Sequence, residues 1–158
     1  MRVGKKDAPT RVVPGTRFAL IAARFNAPLV EQLVAGAQAA LRKAGASDAD
    51  VELHWVPGAW ELPTTALWLA STERFTAIVA LGCVIRGDTP HFDFVAGECA
   101  RGLMQVQLDT GMPVAFGVLT VETQAQAEER ADPARLDKGG EAALAALEMA
   151  NLVRSLSD

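Results

Sequence analysis

Four short runs of apolar and β-branched residues recur along the chain, and a longer stretch with helical spacing separates each from the next. Phe18–Ala23, Val51–Val56, Thr76–Ile85 and Val114–Thr120 have the length and content of strands. Residues 28–44 set Leu29, Leu33, Ala37 and Leu41 four apart, which keeps them on one helical face, and Gly45 supplies the stop. Pro57-Gly58 halts the second strand, and a helix over about 62–72 tolerates Pro63 in its first turn. The third strand is the most apolar, as the centre of a parallel sheet requires. Thr89 as N-cap with Pro90 behind it predicts a helix to about Thr110, ahead of Gly111. Thr123 to Gln126 has the form of a capping box, and a last helix is expected over about 138–155.

Parallel neighbours need a crossover long enough to hold a helix, so this alternation dictates a parallel sheet covered on both faces. The expected fold is a three-layer α/β/α sandwich around a mainly four-stranded parallel sheet, flavodoxin-like in form. The 158 residues fit one domain, over residues 16–158. Residues 1–15 are expected to form a flexible arm, because Arg2, Lys5, Lys6 and Arg11 face only Asp7 there, among Gly and Pro.

Half the chain is apolar and the net charge is −4, which gives no global basic field for nucleic acid. The longest apolar run, Phe75–Ile85, is too short to span a bilayer, and Phe18–Ala23 is too short for a signal segment. Cys83 and Cys99 form neither a CxxC pair nor a zinc pattern, so a cytoplasmic, reducing setting is expected.

Ligands of open parallel sheets gather beyond the carboxyl ends of the strands. The segments that fall there are Arg24-Phe25-Asn26, Pro57 to Glu61, Gly82 to His91, and Phe116 on the fourth strand. Gly82 to Thr89 is close to a P-loop, but Asp88 stands where a P-loop needs its phosphate-binding Lys. A turn running into a helix still offers backbone N–H groups and a favourable dipole to an anion, with the Thr89 hydroxyl beside them. Ordinary helix capping by Asp88 and Thr89 accounts for the same residues equally well. His91 lies in the first turn of that helix, and an unperturbed imidazole pKa of about 6.5 suits proton transfer at neutral pH. His54, mid-strand, reads as packing. Phe25 either stacks on a planar ring or packs in the core, Glu61 either binds polar groups or caps a helix, and Arg130 either meets an anion or pairs with nearby acids. These readings stop at an α/β enzyme, or binder, for a small phosphorylated or planar ligand.

The motifs Arg24-Phe25-Asn26, Val56-Pro57-Gly58-Ala59-Trp60-Glu61-Leu62-Pro63, Leu81-Gly82-Cys83-Val84-Ile85-Arg86-Gly87-Asp88-Thr89-Pro90-His91, Glu129-Arg130-Ala131, Lys138-Gly139 and Ala146 to Asn151 resemble those of the lumazine synthases, over about residues 16–154. The resemblance implies condensation of a ribitylated aminouracil with a butanone phosphate, without cofactor or metal. By it, Phe25 stacks on the pyrimidine, and Asn26, Ala59, Trp60, Glu61, Cys83, Val84 and Ile85 hold the ring and ribityl chain. Asp88, Thr89 and Arg130 take the phosphate, His91 carries protons, and Phe116 closes the pocket from a neighbouring subunit. Lys138 and Glu141 are further possible members. The resemblance also implies a homopentamer or a multiple of it, with shared sites, and a possible riboflavin synthase partner. Cys83 stands where the family more commonly has Thr, a change that a backbone role would tolerate.

Overall fold

The structure is a computed structural model that describes residues 10–158. Of the arm expected over residues 1–15, residues 1–9 therefore lie outside the described residues. Residues 10–15 form no helix or strand, and the segment is tied down where the Val12 N–H donates to the Ala44 carbonyl (3.0 Å).

Four strands and five helices follow in the expected alternation: β1 (Phe18–Ala23), α1 (Ala27–Lys43), β2 (Val51–Val56), α2 (Leu62–Ser71), β3 (Ala77–Ile85), α3 (His91–Thr110), β4 (Val114–Val121), α4 (Gln124–Ala131) and α5 (Lys138–Ser157). Short 3-10 turns at Asp48–Asp50 and Ala59–Glu61 add to these. The sheet is parallel throughout, in the order β2-β1-β3-β4. The flavodoxin-like α/β sandwich is therefore the observed fold. Among the described residues, no helix is long and apolar enough to cross a membrane.

The period-two geometry of a strand sorts the core into two layers. Phe18, Leu20 and Ala22 of β1 point into one, with Val79 and Leu81 of β3, and α1 and α5 cover them through Leu33, Leu41, Ala143 and Leu147. Ala19 and Ile21, with Ile78 and Ala80, point into the other, which α2 and α3 cover through Leu62, Ala66, Cys99 and Leu103. Each Leu or Ile fully withdrawn from water contributes about 1.5–3 kcal/mol. Strands β1 and β3 are buried along most of their length because both layers meet on them.

Where α5 crosses α1 the backbones nearly touch. A side chain at Gly139 would collide with the Leu33 carbonyl, so only glycine fits that crossing. The crossing sets Lys138 and Glu141 at the β4 edge of the domain.

One boundary departs from expectation. Helix α3 begins at His91, with Pro90 as its N-cap rather than at N1. Pro90 has φ −68° but ψ 4°, so its ring satisfies the helical φ while the chain has not yet entered the helix. Thr89 keeps a capping contact one position earlier than the usual geometry, its Oγ1 accepting from the His91 N–H at 3.4 Å. The Thr123 capping box forms as expected, with Thr123 Oγ1 accepting from the Gln126 N–H (3.2 Å).

Candidate functional site

The strand order reverses between β1 and β3: from β1 the chain goes first to β2 on one side, then to β3 on the other. The helices leaving β1 and β3 consequently diverge onto opposite faces, and a crevice opens between the two carboxyl ends. A cleft of about 470 Å³ lies there. Phe25 and Trp60 stand at it, 72% and 60% exposed, two aromatic faces of the kind normally buried. Ala59, Glu61, Cys83, Val84, Ile85, Thr89 and His91 complete most of the lining.

Backbone geometry sets these groups. Asn26, just after Phe25, sits at φ 61° and ψ 41°, the left-handed region that Asn tolerates better than most residues. Its side-chain Nδ2 donates to the Cys83 carbonyl (2.9 Å), and the Phe25 N–H donates to the Pro57 carbonyl (3.1 Å). The carboxyl ends of β1, β2 and β3 are thus stitched together under the cleft. Gly58 is fully extended, and the chain then tightens into the Ala59–Glu61 turn. The Cys83 thiol points away from the cleft into the α1/α5 core layer, and burial pushes its pKa up to about 11. A thiol so held is not a nucleophile.

At the far wall, the Thr89 hydroxyl accepts from the His91 N–H and keeps its own proton to donate. His91 opens α3, where the His91 N–H goes to Thr89 Oγ1 and the Asp93 N–H turns back to the Pro90 carbonyl (3.0 Å), while the helix dipole keeps its positive end at this wall. Asp88 is exposed and, like Asn26, does not line the cleft. Arg86, between β3 and this wall, reaches Glu122 and Asp93.

A second cleft, of about 390 Å³, runs along β4. It collects Phe116, 46% exposed, with Arg130, Lys138 and Glu141. Arg130 Nη1 donates to the Gln126 carbonyl (3.1 Å) and lies 3.7 Å from Glu129, while Lys138 Nζ lies 3.2 Å from Glu141. The two clefts share no lining residue. Apart from Asn26 and Asp88, which line neither cleft, the expected site residues are gathered into two groups, one at the β1/β3 mouth and one on the β4 edge.

His54 belongs to neither. It bonds Glu52 (2.7 Å), whose carboxylate also takes Arg74 (3.0 Å) at the β2 edge. The Arg74 hydrogen bond and the His54 contact hold the Glu52 pKa below its ordinary value. Phe92 and Val95 also line the first cleft. The i,i+4 spacing of His91 and Val95, which puts both on one helical face, was the signal for Val95.

Residues 15–154 match the sequence profile of the 6,7-dimethyl-8-ribityllumazine synthase family. Two relatives named 6,7-dimethyl-8-ribityllumazine synthase, from Stenotrophomonas maltophilia strains R551-3 and K279a, are each 51% identical over 150 residues, covering 95% of this chain and 97% of their own. The same residues that line the two clefts fall inside that match, and the chain belongs to the 6,7-dimethyl-8-ribityllumazine synthase family.

Proposed function

We propose that the protein condenses 5-amino-6-(D-ribitylamino)uracil with 3,4-dihydroxy-2-butanone 4-phosphate to give 6,7-dimethyl-8-ribityllumazine, the penultimate step of riboflavin biosynthesis. The observation that carries this is the pairing of an exposed aromatic mouth with a histidine at a helix N-terminus in one cleft at the sheet's switch point.

In this reading the pyrimidine stacks on Phe25, and the backbone of Ala59 to Glu61 and Cys83 to Ile85 exchanges hydrogen bonds with the ring edge and ribityl chain. The aminouracil amine attacks the ketone, water leaves to give an imine, and inorganic phosphate is eliminated. The ribitylamino nitrogen then closes the second ring, with loss of another water. The nucleophile comes from the substrate, so proximity provides most of the acceleration and His91 moves protons. The phosphate is taken by the Thr89 hydroxyl and the α3 N-terminus, with the backbone at Asp88, and by Arg130.

Arg130 and Phe116 lie in the other cleft, which supports a site completed by a neighbouring copy: Phe25 and His91 from one subunit, Phe116 and Arg130 from the next, with Lys138 and Glu141 nearby. A cyclic homopentamer, or a multiple of it, repeats that pairing at every interface. The expected sedimentation mass is five chains or a multiple of five, and a monomer at micromolar concentration overturns the shared site. Two buried, unpaired cysteines fit a cytoplasmic setting. The direct test of function supplies each substrate alone and then both, following lumazine absorbance. Product is expected only with both, and no product with both present refutes the reading.

A further inference from the structure

Arg86 lines neither cleft, yet it joins the elements that carry them. Its backbone N–H donates to the Val121 carbonyl (2.9 Å) at the end of β4. Its guanidinium makes three contacts: Nε lies 2.8 Å from Glu122 just after β4, Nη2 lies 3.1 Å from Asp93 in the first turn of α3, and the plane stacks 4.5 Å over the Phe92 ring. Between Arg86 and α3, residues 87–90 form neither helix nor strand. This is the corner that presents Thr89 and His91 to the first cleft.

We propose that Arg86 is a positioning residue for the phosphate-bearing substrate, and that its Glu122–Asp93–Phe92 clamp holds the residue 87–91 corner at a fixed distance from the end of β4. The role rests on the function proposed above. A planar fork suits it, because one guanidinium can engage two carboxylates and a ring at once, which a lysine ammonium cannot. The side chains are 37% exposed for Arg86 and 60% for both acids, so the clamp adds little to global stability. Its effect is local, on where the corner sits.

The alternative is that Arg86 is itself a phosphate ligand, and the two roles predict opposite signs. Neutralising the acids with Asp93→Asn plus Glu122→Gln frees the guanidinium. A direct ligand would then bind phosphate more tightly, whereas a positioning residue would lose its anchor. The double variant and Arg86→Ala are expected to raise KM for the butanone phosphate about threefold to tenfold while KM for the aminouracil changes less than about twofold. Arg86→Lys should fall between wild type and Arg86→Ala. Calorimetric binding of inorganic phosphate to the same assembled proteins should weaken in parallel.

Tighter phosphate binding in the double variant overturns the positioning role, as do unchanged values for both substrates. An equal rise for both substrates, with a fall in melting temperature, reduces the clamp to a structural part. Absence of lumazine formation by the wild type is a separate failure, of the proposed function, and the phosphate titration then still decides what Arg86 does.

Discussion

The two clefts are built from different materials. The one at the β1/β3 mouth is made of backbone turns and exposed aromatic rings, with His91 and Glu61 as its ionisable lining. The one along β4 has a single aromatic, Phe116, and a charged rim of Arg130, Lys138 and Glu141. In the proposed function the first takes the planar heterocycle with its polyol chain, and the second brings cations to the phosphate. A condensation that joins a heterocycle to a sugar phosphate needs both kinds of surface, and one chain displays them as separate halves.

Damage to one half at a time should give two different kinetic signatures. Arg130→Ala should raise KM for the butanone phosphate about tenfold to hundredfold, since a charged contact to phosphate contributes roughly 1.5–3 kcal/mol, and should spare KM for the aminouracil. His91→Ala should do the reverse in kind, lowering kcat by about 10²-fold or less with little change in binding. Steady-state kinetics with each substrate varied in turn separates the two patterns. Equal effects of Arg130→Ala on both substrates would make that residue a packing element of α4.

A smaller effect, but a more specific one, comes from mixing the two damaged proteins. If the halves meet across a subunit interface, an interface is competent only when the Arg130→Ala chain supplies His91 and the His91→Ala chain supplies Arg130. Random equal reassembly makes about one interface in four competent, so roughly a quarter of wild-type activity should return. With subunit exchange verified by a labelled control, no recovery would place both residues in one chain's site.

The layering of the fold was legible because period two and period 3.6 are strong signals in buried elements: β1, β3 and the Leu29–Leu41 face of α1 contain almost nothing to contradict them. The place of the first cleft was legible because Phe25, Trp60 and His91 fall at strand or helix ends on the side where a parallel sheet gathers ligands, although spacing alone left Phe25 open between a stacking face and core packing. What escaped was short or non-periodic. The Ala59–Glu61 turn has three residues, fewer than one period, and Pro57-Gly58 signals only that the strand stops. The start of α3 was misplaced because proline's φ suits both sides of a helix boundary and only ψ decides. The Asn26 link to Cys83 and the Arg86 clamp join residues distant in sequence or on three different elements, which no local pattern encodes. The Gly139 crossing, which sets the β4 cleft, depends on an interhelical distance rather than on any spacing along the chain.

The smallest expected effect concerns Cys83, which borders the first cleft through its backbone while its thiol belongs to the core. Burial raises the thiol pKa from 9.0 to about 11, so throughout the working range the group is a neutral thiol. Cys83→Ala should therefore leave kcat and both KM values within about twofold, and the pH–rate profile should keep its shape. The same shift makes a prediction about stability. A folded pKa above the unfolded one means the native state holds the proton more tightly, so this contribution is complete below about pH 9 and is lost as pH climbs through about 11. Cys99, raised to about 12 by burial, adds a loss of the same sign reaching further up. Between pH 9 and 11 the wild type should lose melting temperature faster than Cys83→Ala does. The chain has no tyrosine, so thiolate absorbance can be followed without tyrosinate beneath it. A thiol that ionises below pH 9 in the folded protein, or a Cys83→Ala variant whose turnover falls tenfold, would mean that the side chain faces the ligand, and the first cleft would then be more than backbone and rings.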